Sequence, residues 1–427
     1  MVKNLRPIAS LLLGVALLLA GTGLQFTLLP LRGAAEGFSS FELGAVGSFY
    51  YVGFVGGCLT GPYLILRAGH IRAFGALVAL AVVAALAYPL AGVVPAWLMF
   101  RLLSGFCMAG LYLVIESWLN DRTSNDRRGF VMSAYVFVNF SAFTVGQLMV
   151  TLYPIGGSEN FIVAAMLASL AIVPVALTRS VQPAPVTIVR FRPVELYRAA
   201  PVGLVGSLMV GIANGAFWGL GPLSAAGNGM SVEKVAVFMS TATVAGALAQ
   251  YPVGRLSDRM DRRMVLLALL IGAALVGVLL WMFAKQGWLL LTFGLLFGAL
   301  ALPGYSLAAA HAYDKTPNGE MVRTAATLLL VNALGAASGP LLASFLMDWL
   351  GPRALFLFTA VIEALLAVYV FYRTKVMAPV AAPDKTEFDL AATAPIGAVV
   401  TGTTPDPDDP SMVVPEPYQP EPARDAL

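Results

Sequence analysis

Residues 254–263 read GRLSDRMDRR, six charged residues and a serine among ten. The surrounding chain of 427 residues is 59% hydrophobic and only 11% charged, with a mean hydropathy of +0.81. Soluble domains carry about 25% charged residues, so the concentration of charge here asks for a local reason. The stretch is flanked by two apolar runs, 232–254 and 264–284. Each is long enough to cross a ~30 Å hydrocarbon core as a helix. In lipid every backbone N–H and C=O needs an internal partner, so continuous apolar runs of this length read as spanning helices. The charged decapeptide is then the turn between two crossings, and the fold is an all-α integral membrane protein.

Counting outward from this turn gives twelve spans, at about 8–31, 41–66, 72–92, 95–119, 129–153, 160–178, 201–224, 232–254, 264–284, 287–312, 324–347 and 353–373. The first follows Lys3 and Arg6 as a signal peptide would, but it outruns a 7–15-residue signal core and further spans follow, so it is read as retained. With the N-terminus placed inside, 19 Lys and Arg residues fall in cytoplasmic segments and 4 (Arg32, Lys234, Lys285 and Arg353) outside. That asymmetry predicts both termini on the cytoplasmic face of a cell inner membrane.

The chain repeats itself. At an offset of 192, Gly14, Gly23, Pro30 and Leu31 meet Gly206, Gly215, Pro222 and Leu223, and Arg67 meets Arg259. At 193, Phe100, Leu103, Gly105, Tyr112 and Asp121 meet Phe293, Leu296, Gly298, Tyr305 and Asp314, while Asn139 and Gly146 meet Asn332 and Gly339. An even repeat of six spans gives two bundles of like orientation, with a solute site expected near the midplane where they meet. The expected organisation is an N-terminal six-helix bundle over 1–178, a basic cytoplasmic linker over 179–200, and a second bundle over 201–375. Residues 376–427 are expected to form a disordered cytoplasmic tail: 378–427 holds 10 prolines and nine carboxylates against two basic residues, too little apolar surface for a core. A regulatory or partner-binding tail is the second reading.

The stretch from Gly254 to Leu266, GRLSDRMDRRMVL, resembles the loop signature of the major facilitator superfamily, G-x-L-a-D-R-x-G-R-R-x-x-L, with Asp261 for the second glycine. The first-half copy keeps Gly61 one place out of register, Arg67, Gly69 and Arg72, but has Leu66 where the acid belongs. RLLSGFCMAG, from Arg101 to Gly110, is similar to the span 4 signature R-x-x-Q-G-x-G-x-A, with Ser104 for the glutamine. Within the superfamily, GLYLVIESW (Gly110 to Trp118) and PGYSLAAAH (Pro303 to His311) resemble the YcaD-type branch. The resemblance covers 1–375 and implies two parallel-repeat six-helix bundles (the major facilitator fold) that move a small organic solute by rocker-switch alternating access. The span 4 arginine resembles that of drug–proton antiporters and favours proton-coupled export; proton-linked uptake or facilitated exchange is the alternative.

The resemblance also assigns the charged turn a role. The loop between spans 8 and 9 should face the start of span 5, so Asp258 is expected to reach Arg127 and Arg128 across the seam when the cytoplasmic side is shut. Gly254, Asp258, Arg259, Arg262, Arg263, Arg127, Arg128, Arg67, Gly69 and Arg323 form this expected gate. Leu66 cannot make the mirror contact near Arg323, which predicts a lopsided lock. The simpler reading of the same charges is that they only set topology.

Ionisable groups inside spans are costly and point to function. Glu116, Arg101, His311 and Glu363 are the proton-coupling candidates. Arg101 either faces the interior or snorkels to outer headgroups; Glu116 either carries a proton or pairs with a cytoplasmic arginine; Glu363 on peripheral span 12 fits helix packing, and a lone histidine such as His311 is commonly structural. Gln25, Tyr50, Tyr51, Tyr112, Asn139, Gln147, Asn214, Trp218, Tyr305 and Asn332 are the substrate-binding candidates, the amides because an unpaired amide in lipid is expensive. Gly219, Gly221 and Pro222 predict that span 7 breaks at the outer gate. Cys58 and Cys107 lie in apolar runs with no disulfide or metal spacing, so neither a cofactor nor a metal is expected.

The expected partners are a small-molecule substrate, the lipid bilayer and protons, with no nucleic acid and a monomeric chain. No G-x-x-x-x-G-K-[ST] loop for ATP is present. A membrane enzyme would need clustered His, Asp, Glu or Cys, which two distant histidines and two apolar cysteines do not supply. A non-transporting sensor or scaffold acting through the tail is the remote alternative.

Overall fold

The computed structural model describes residues 6–123, 128–177, 191–283, 287–317, 320–380, 385, 386 and 388, and all regular structure among them is helical. Twelve helical segments are long and apolar enough to cross a membrane: Ile8–Ala35, Ser40–Ala68, His70–Leu90, Val94–Leu119, Gly129–Met149, Glu159–Ala176, Pro201–Gly227, Val232–Arg259, Arg262–Phe283, Trp288–Tyr313, Met321–Leu350 and Ala354–Val376. They are spans 1–12 in that order. Of the expected linker, residues 191–200 are described and carry a short helix, Pro193–Ala199.

The two halves are built by the same helix pairings. Spans 1 and 5 pack as spans 7 and 11 do, and spans 2 and 4 as spans 8 and 10 do. At each of these contacts a glycine admits a neighbouring backbone. A side chain at Gly23 would overlap the Phe143 carbonyl, and one at Gly215 would meet Ala336; Gly146 and Gly339 sit on the carbonyls of Ala20 and Ile212. Gly105 lies on the Tyr50 carbonyl and Gly298 on that of Ala242. Small residues that bring backbones together are how helices associate in lipid. All three glycine pairs are landmarks of the 192–193 offset, so the repeat in sequence is a repeat in packing.

Span 7 does not break at Gly219–Pro222 as the sequence suggests; the helix continues through Pro222 to Gly227. Gly219 serves contact instead, because a Cβ there would lie 3.1 Å from Pro340 across the bundle and 3.7 Å from the Gly47 Cα. The interruption falls in span 10, where helix Gly287–Ala301 ends and a second begins at Gly304 after Pro303. Proline lacks the N–H that would continue the ladder.

Tight turns join the spans. Ser39 and Glu42 form a reciprocal capping box at the start of span 2. Gly69 has φ 79° and forms the whole hinge between spans 2 and 3, a left-handed conformation that residues with a Cβ adopt at a cost.

Replacing Gly298 by leucine should overfill the seam between spans 8 and 10 and destabilise the protein by at least about 1–3 kcal/mol. The check is a lowered melting temperature in detergent; Gly75→Leu, at a position with open space around it, is the control expected to leave it unchanged.

Candidate functional site

A cavity of about 330 Å³ lies between the halves. Span 1 contributes Thr22 and Phe26, and span 2 contributes Tyr50, Tyr51 and Phe54; span 4 adds Tyr112, and span 5 adds Asn139, Phe140 and Phe143. From the second half come Gly211, Asn214, Gly215 and Trp218 of span 7, Thr243 and Gln250 of span 8, Tyr305 and Ser306 of span 10, and Asn332, Ala333 and Ala336 of span 11. Tyr50, Tyr112, Asn139, Asn214, Trp218, Tyr305 and Asn332 from the expected binding set, with Tyr51, thus surround one space. Gln25 and Gln147 do not line it. Gln25 borders a small side cavity of about 20 Å³ beside Arg101.

The walls differ in kind. Offsets of 192 and 193 set Thr22 opposite Asn214, Phe26 opposite Trp218, Phe140 opposite Ala333 and Phe143 opposite Ala336. The first half therefore presents a mostly aromatic wall, while the second sets two rings, Trp218 and Tyr305, among small residues and amides. No charged side chain is among the lining residues. The Asn332 amide donates to the Ser207 carbonyl at 2.9 Å, while Oδ1 of Asn139 and Oε1 of the buried Gln250 have no protein donor. An acceptor left buried without a donor is costly, and both residues belong to the cavity wall. Sequence reasoning missed Thr22, Gln250, Ser306 and the phenylalanines; the offset could have found Thr22 and Phe26 as partners of Asn214 and Trp218.

Cross-seam contacts gather at the end away from the termini. A Cβ on Gly47 would lie 3.3 Å from both the Gly219 Cα and Pro340, and Gly44 abuts Ser344 and the Pro340 carbonyl. Phe41 meets Phe345 with ring centroids 5.1 Å apart, and Phe143 meets Trp218 at 5.5 Å. Thr243 donates to Gln147 Oε1 at 2.9 Å and Ser240 to the Thr144 carbonyl at 3.4 Å. Gln147 is thus part of the closed end. Among the described residues, the side-chain hydrogen bonds and ring contacts that join the two bundles all lie at this end.

The ionisable candidates occupy separate places. Arg101 is 4% exposed and lies against the rings of Phe26 and Tyr50, 4.3 and 4.5 Å from their centroids, the rings themselves meeting edge to face at 4.9 Å. It faces the interior, behind two rings that line the cavity. Glu116 is 1% exposed and accepts the Tyr135 hydroxyl at 2.8 Å, one turn from Asn139. Glu363 is buried on span 12, which packs against spans 9 and 7 and not on the cavity. His311 is buried at the end of span 10, among Arg263, Asp314 and Asp261. His70, at the position the offset pairs with Arg262, is buried and bonded to Ser117 Oγ at 3.1 Å; the sequence reading gave it no role.

The opening decapeptide forms a network within its own half. Arg262, 1% exposed, bonds Asp314 at 2.8 Å, Ser257 Oγ at 2.9 Å and Asp258 at 3.2 Å, tying span 8 to the end of span 10. Arg263 bonds Asp261 at 2.7 Å and the Met377 carbonyl at 2.9 Å beyond span 12. Asp261, the departure from the signature glycine, caps span 9 by accepting the Arg263 backbone N–H at 3.0 Å. Arg259 and Arg67 are exposed, and Arg323 bonds Glu320 in its own loop. Asp258 does not reach across the seam; its second partner is the Phe388 N–H at 3.0 Å. Arg127 and the side chain of Arg128 lie outside the described residues. The tail, expected to be free of structure, is seated here at Lys385, Thr386 and Phe388; 389–427 lies outside the described residues.

Comparison with known proteins agrees with this architecture. The Major Facilitator Superfamily profile matches residues 203–406. An MFS-type transporter YcaD of Salmonella arizonae, itself uncharacterized, is 29% identical over 364 residues, covering 83% of this chain and 92% of the relative. A relative from Enterobacter sp. is 28% identical over 370 residues, with the same coverage. Among solved structures, the nucleoside transporter NupG superposes with a TM-score of 0.68 at 12% identity, covering 88% of this chain and all of that one. A bacterial homologue of the human lysosomal transporter Spinster, inward-facing and occupied, gives 0.67 at 13% identity, covering 89% and 97%.

Burial would raise the Asp261 carboxyl, but its bonds to Arg263 outweigh that and hold it below the ordinary carboxylate range. A depressed folded-state pKa gives stability that is complete above the ordinary value of about 3.9 and is lost as pH falls through the lower folded value. Asp261→Asn should therefore flatten the acid limb of the stability profile below about pH 4, while Asp261→Ala also loses the cap, at about 1 kcal/mol. Melting temperatures between pH 3 and 7 give the comparison.

Proposed function

Because this chain matches the major facilitator superfamily profile and shares the fold of solved transporters, we propose that it is a secondary active transporter carrying a small organic solute through the central cavity by alternating access. The observation that carries the reading is the cavity itself. Both halves line it, and the contacts that join them gather at one end. With both termini cytoplasmic, as the loop charges indicate, this is the inward-open state. Rocking the halves about the cavity would open the Gly47–Gly219–Pro340 contact and shut the cytoplasmic end, where Asp258 would meet the start of span 5 with Arg127 and Arg128.

The solute is an uncharged or weakly charged molecule with a planar part and several hydrogen-bond donors. The planar part lies on Phe26, Tyr50, Tyr112 and Phe143. Asn214, Gln250 and Ser306 supply polar partners on the other side, and a charged solute would leave water without a counter-ion in the wall. Nucleosides, named for the structural neighbour NupG, are of this general shape and belong in the first panel of solutes.

Coupling is to protons, and transport runs outward. Glu116 is the carboxylate that exchanges the proton, because it is buried next to the cavity wall and linked through Tyr135 to the helix bearing Asn139. Arg101 keeps the outer end positive and bars a competing cation.

The test is solute flux in inverted vesicles with an imposed pH gradient. Asn214→Ala should lower uptake into the vesicles at least about tenfold, the effect of one lost buried hydrogen-bond partner to a ligand. Glu116→Gln should abolish gradient-driven flux and leave solute–solute exchange in place. Gradient-driven flux that survives Glu116→Gln would remove Glu116 from coupling; flux driven in the opposite sense would make the carrier an importer.

A further inference from the structure

The turn between spans 8 and 9 holds more than its own charges. Phe388 lies against Gly254, and a Cβ on Gly254 would overlap its ring. The ring packs on the apolar cluster that contains Leu266, Leu307 and Val370. Around it the backbone and side chains of the tail are bonded one by one. Asp258 accepts the Phe388 N–H at 3.0 Å. Asp314 accepts the Thr386 N–H at 3.0 Å and its hydroxyl at 2.9 Å. Arg262 donates to the Thr386 carbonyl, and the Lys385 ammonium donates to the Met260 carbonyl at 2.6 Å. With the tail in place Asp314 and Arg262 are both 1% exposed, so the tail's bonds to them are made out of water. One apolar side chain in a pocket, with main-chain bonds on each side, is how a short peptide is read by a groove.

We propose that the loop between spans 8 and 9 is a peptide-docking site whose occupant is the chain's own Lys385, Thr386 and Phe388, and that the docked tail holds the cytoplasmic end of the carrier open.

The holding follows from Asp258, and it rests on the gate reading above. Closure of that end would require the Asp258 carboxylate to face span 5 of the other half, yet one of its oxygens takes the Phe388 N–H and the Arg262 guanidinium. The tail and the closed gate therefore compete for one acceptor and for the space in front of it. The site is reached easily: span 12 ends at Val376, and Arg263 grips the Met377 carbonyl beside the same loop. The nine residues from there to Lys385 can span about 30 Å when extended, and docking within one chain proceeds at high effective concentration. Phosphorylation of Thr386 would set a dianion against Asp314 and release the segment.

Three readouts on the full chain test this. Trypsin should cut the Lys385–Thr386 bond slowly in the native protein and at least about tenfold faster in Phe388→Ala, the consequence of removing a buried aromatic anchor; Phe388→Leu should fall between. In a background with Cys58 and Cys107 replaced by serine, Leu329→Cys, on the span 11 wall of the cavity, should react with a membrane-impermeant maleimide from the cytoplasmic side, and Phe388→Ala should slow that reaction about threefold as the population moves to the closed form. Equal cleavage in native protein and Phe388→Ala would show that the tail is not docked. Faster cleavage with unchanged labelling would show a docked tail that holds nothing open. Neither readout needs a solute, so a carrier with no measurable flux would undo the transport reading while these two results still decide this one. Where flux is measurable, Thr386→Glu should reproduce the labelling change of Phe388→Ala and raise turnover.

Discussion

Helices in hydrocarbon gain little by hiding apolar surface from one another, because lipid tails are as apolar as leucine. What holds this protein together is close contact between backbones, and the contact recurs in both halves: Gly23 and Gly215, Gly105 and Gly298, Gly146 and Gly339 each receive a neighbouring strand of main chain. These six positions fix which spans pair inside a bundle. They also leave the seam between bundles free of such locks except near Gly44, Gly47 and Gly219. Contact of backbone on glycine is spread through each bundle and confined to one end of the boundary between them.

The buried polar groups are set among these contacts. Inside a bundle, Arg101 lies against the rings of Phe26 and Tyr50, and Glu116 accepts the Tyr135 hydroxyl. On the seam, amide acceptors on Asn139 and Gln250 stand without protein donors. A cost of this kind is tolerated where a ligand can relieve it. The same division governs the loop ends. In the second half Arg262 joins Ser257, Asp258 and Asp314, whereas the first half has His70 on Ser117 at the matching place. Two copies of one bundle have kept their packing and diverged in their charges.

Span number and pairing were legible because length, apolarity and the offset of 192–193 each have a single physical cause. The tyrosines and asparagines of the cavity lining were legible, since Tyr112 and Tyr305, or Asn139 and Asn332, are anomalies in a lipid-facing reading, whereas Thr22, Gln250 and Ser306 carry no such mark. The apolar part of the lining was not legible either, since Phe140 and Phe143 look like any other phenylalanine in an apolar span. Span 7 misled for a related reason. A glycine and a proline near a helix end can loosen it or let a neighbour in, and only coordinates tell which; Gly219 does the second. The tail misled because composition averages over fifty residues, while docking needs three of them.

Arg101 deserves a last physical reading. Its guanidinium lies against two rings that meet each other edge to face, and Phe26 and Tyr50 are also part of the cavity wall. Its field therefore enters the cavity from the side of those two rings. A polar molecule inside would settle with the negative end of its dipole toward that wall, so the polarity of the visitor, and not only its shape, decides which way round it rides.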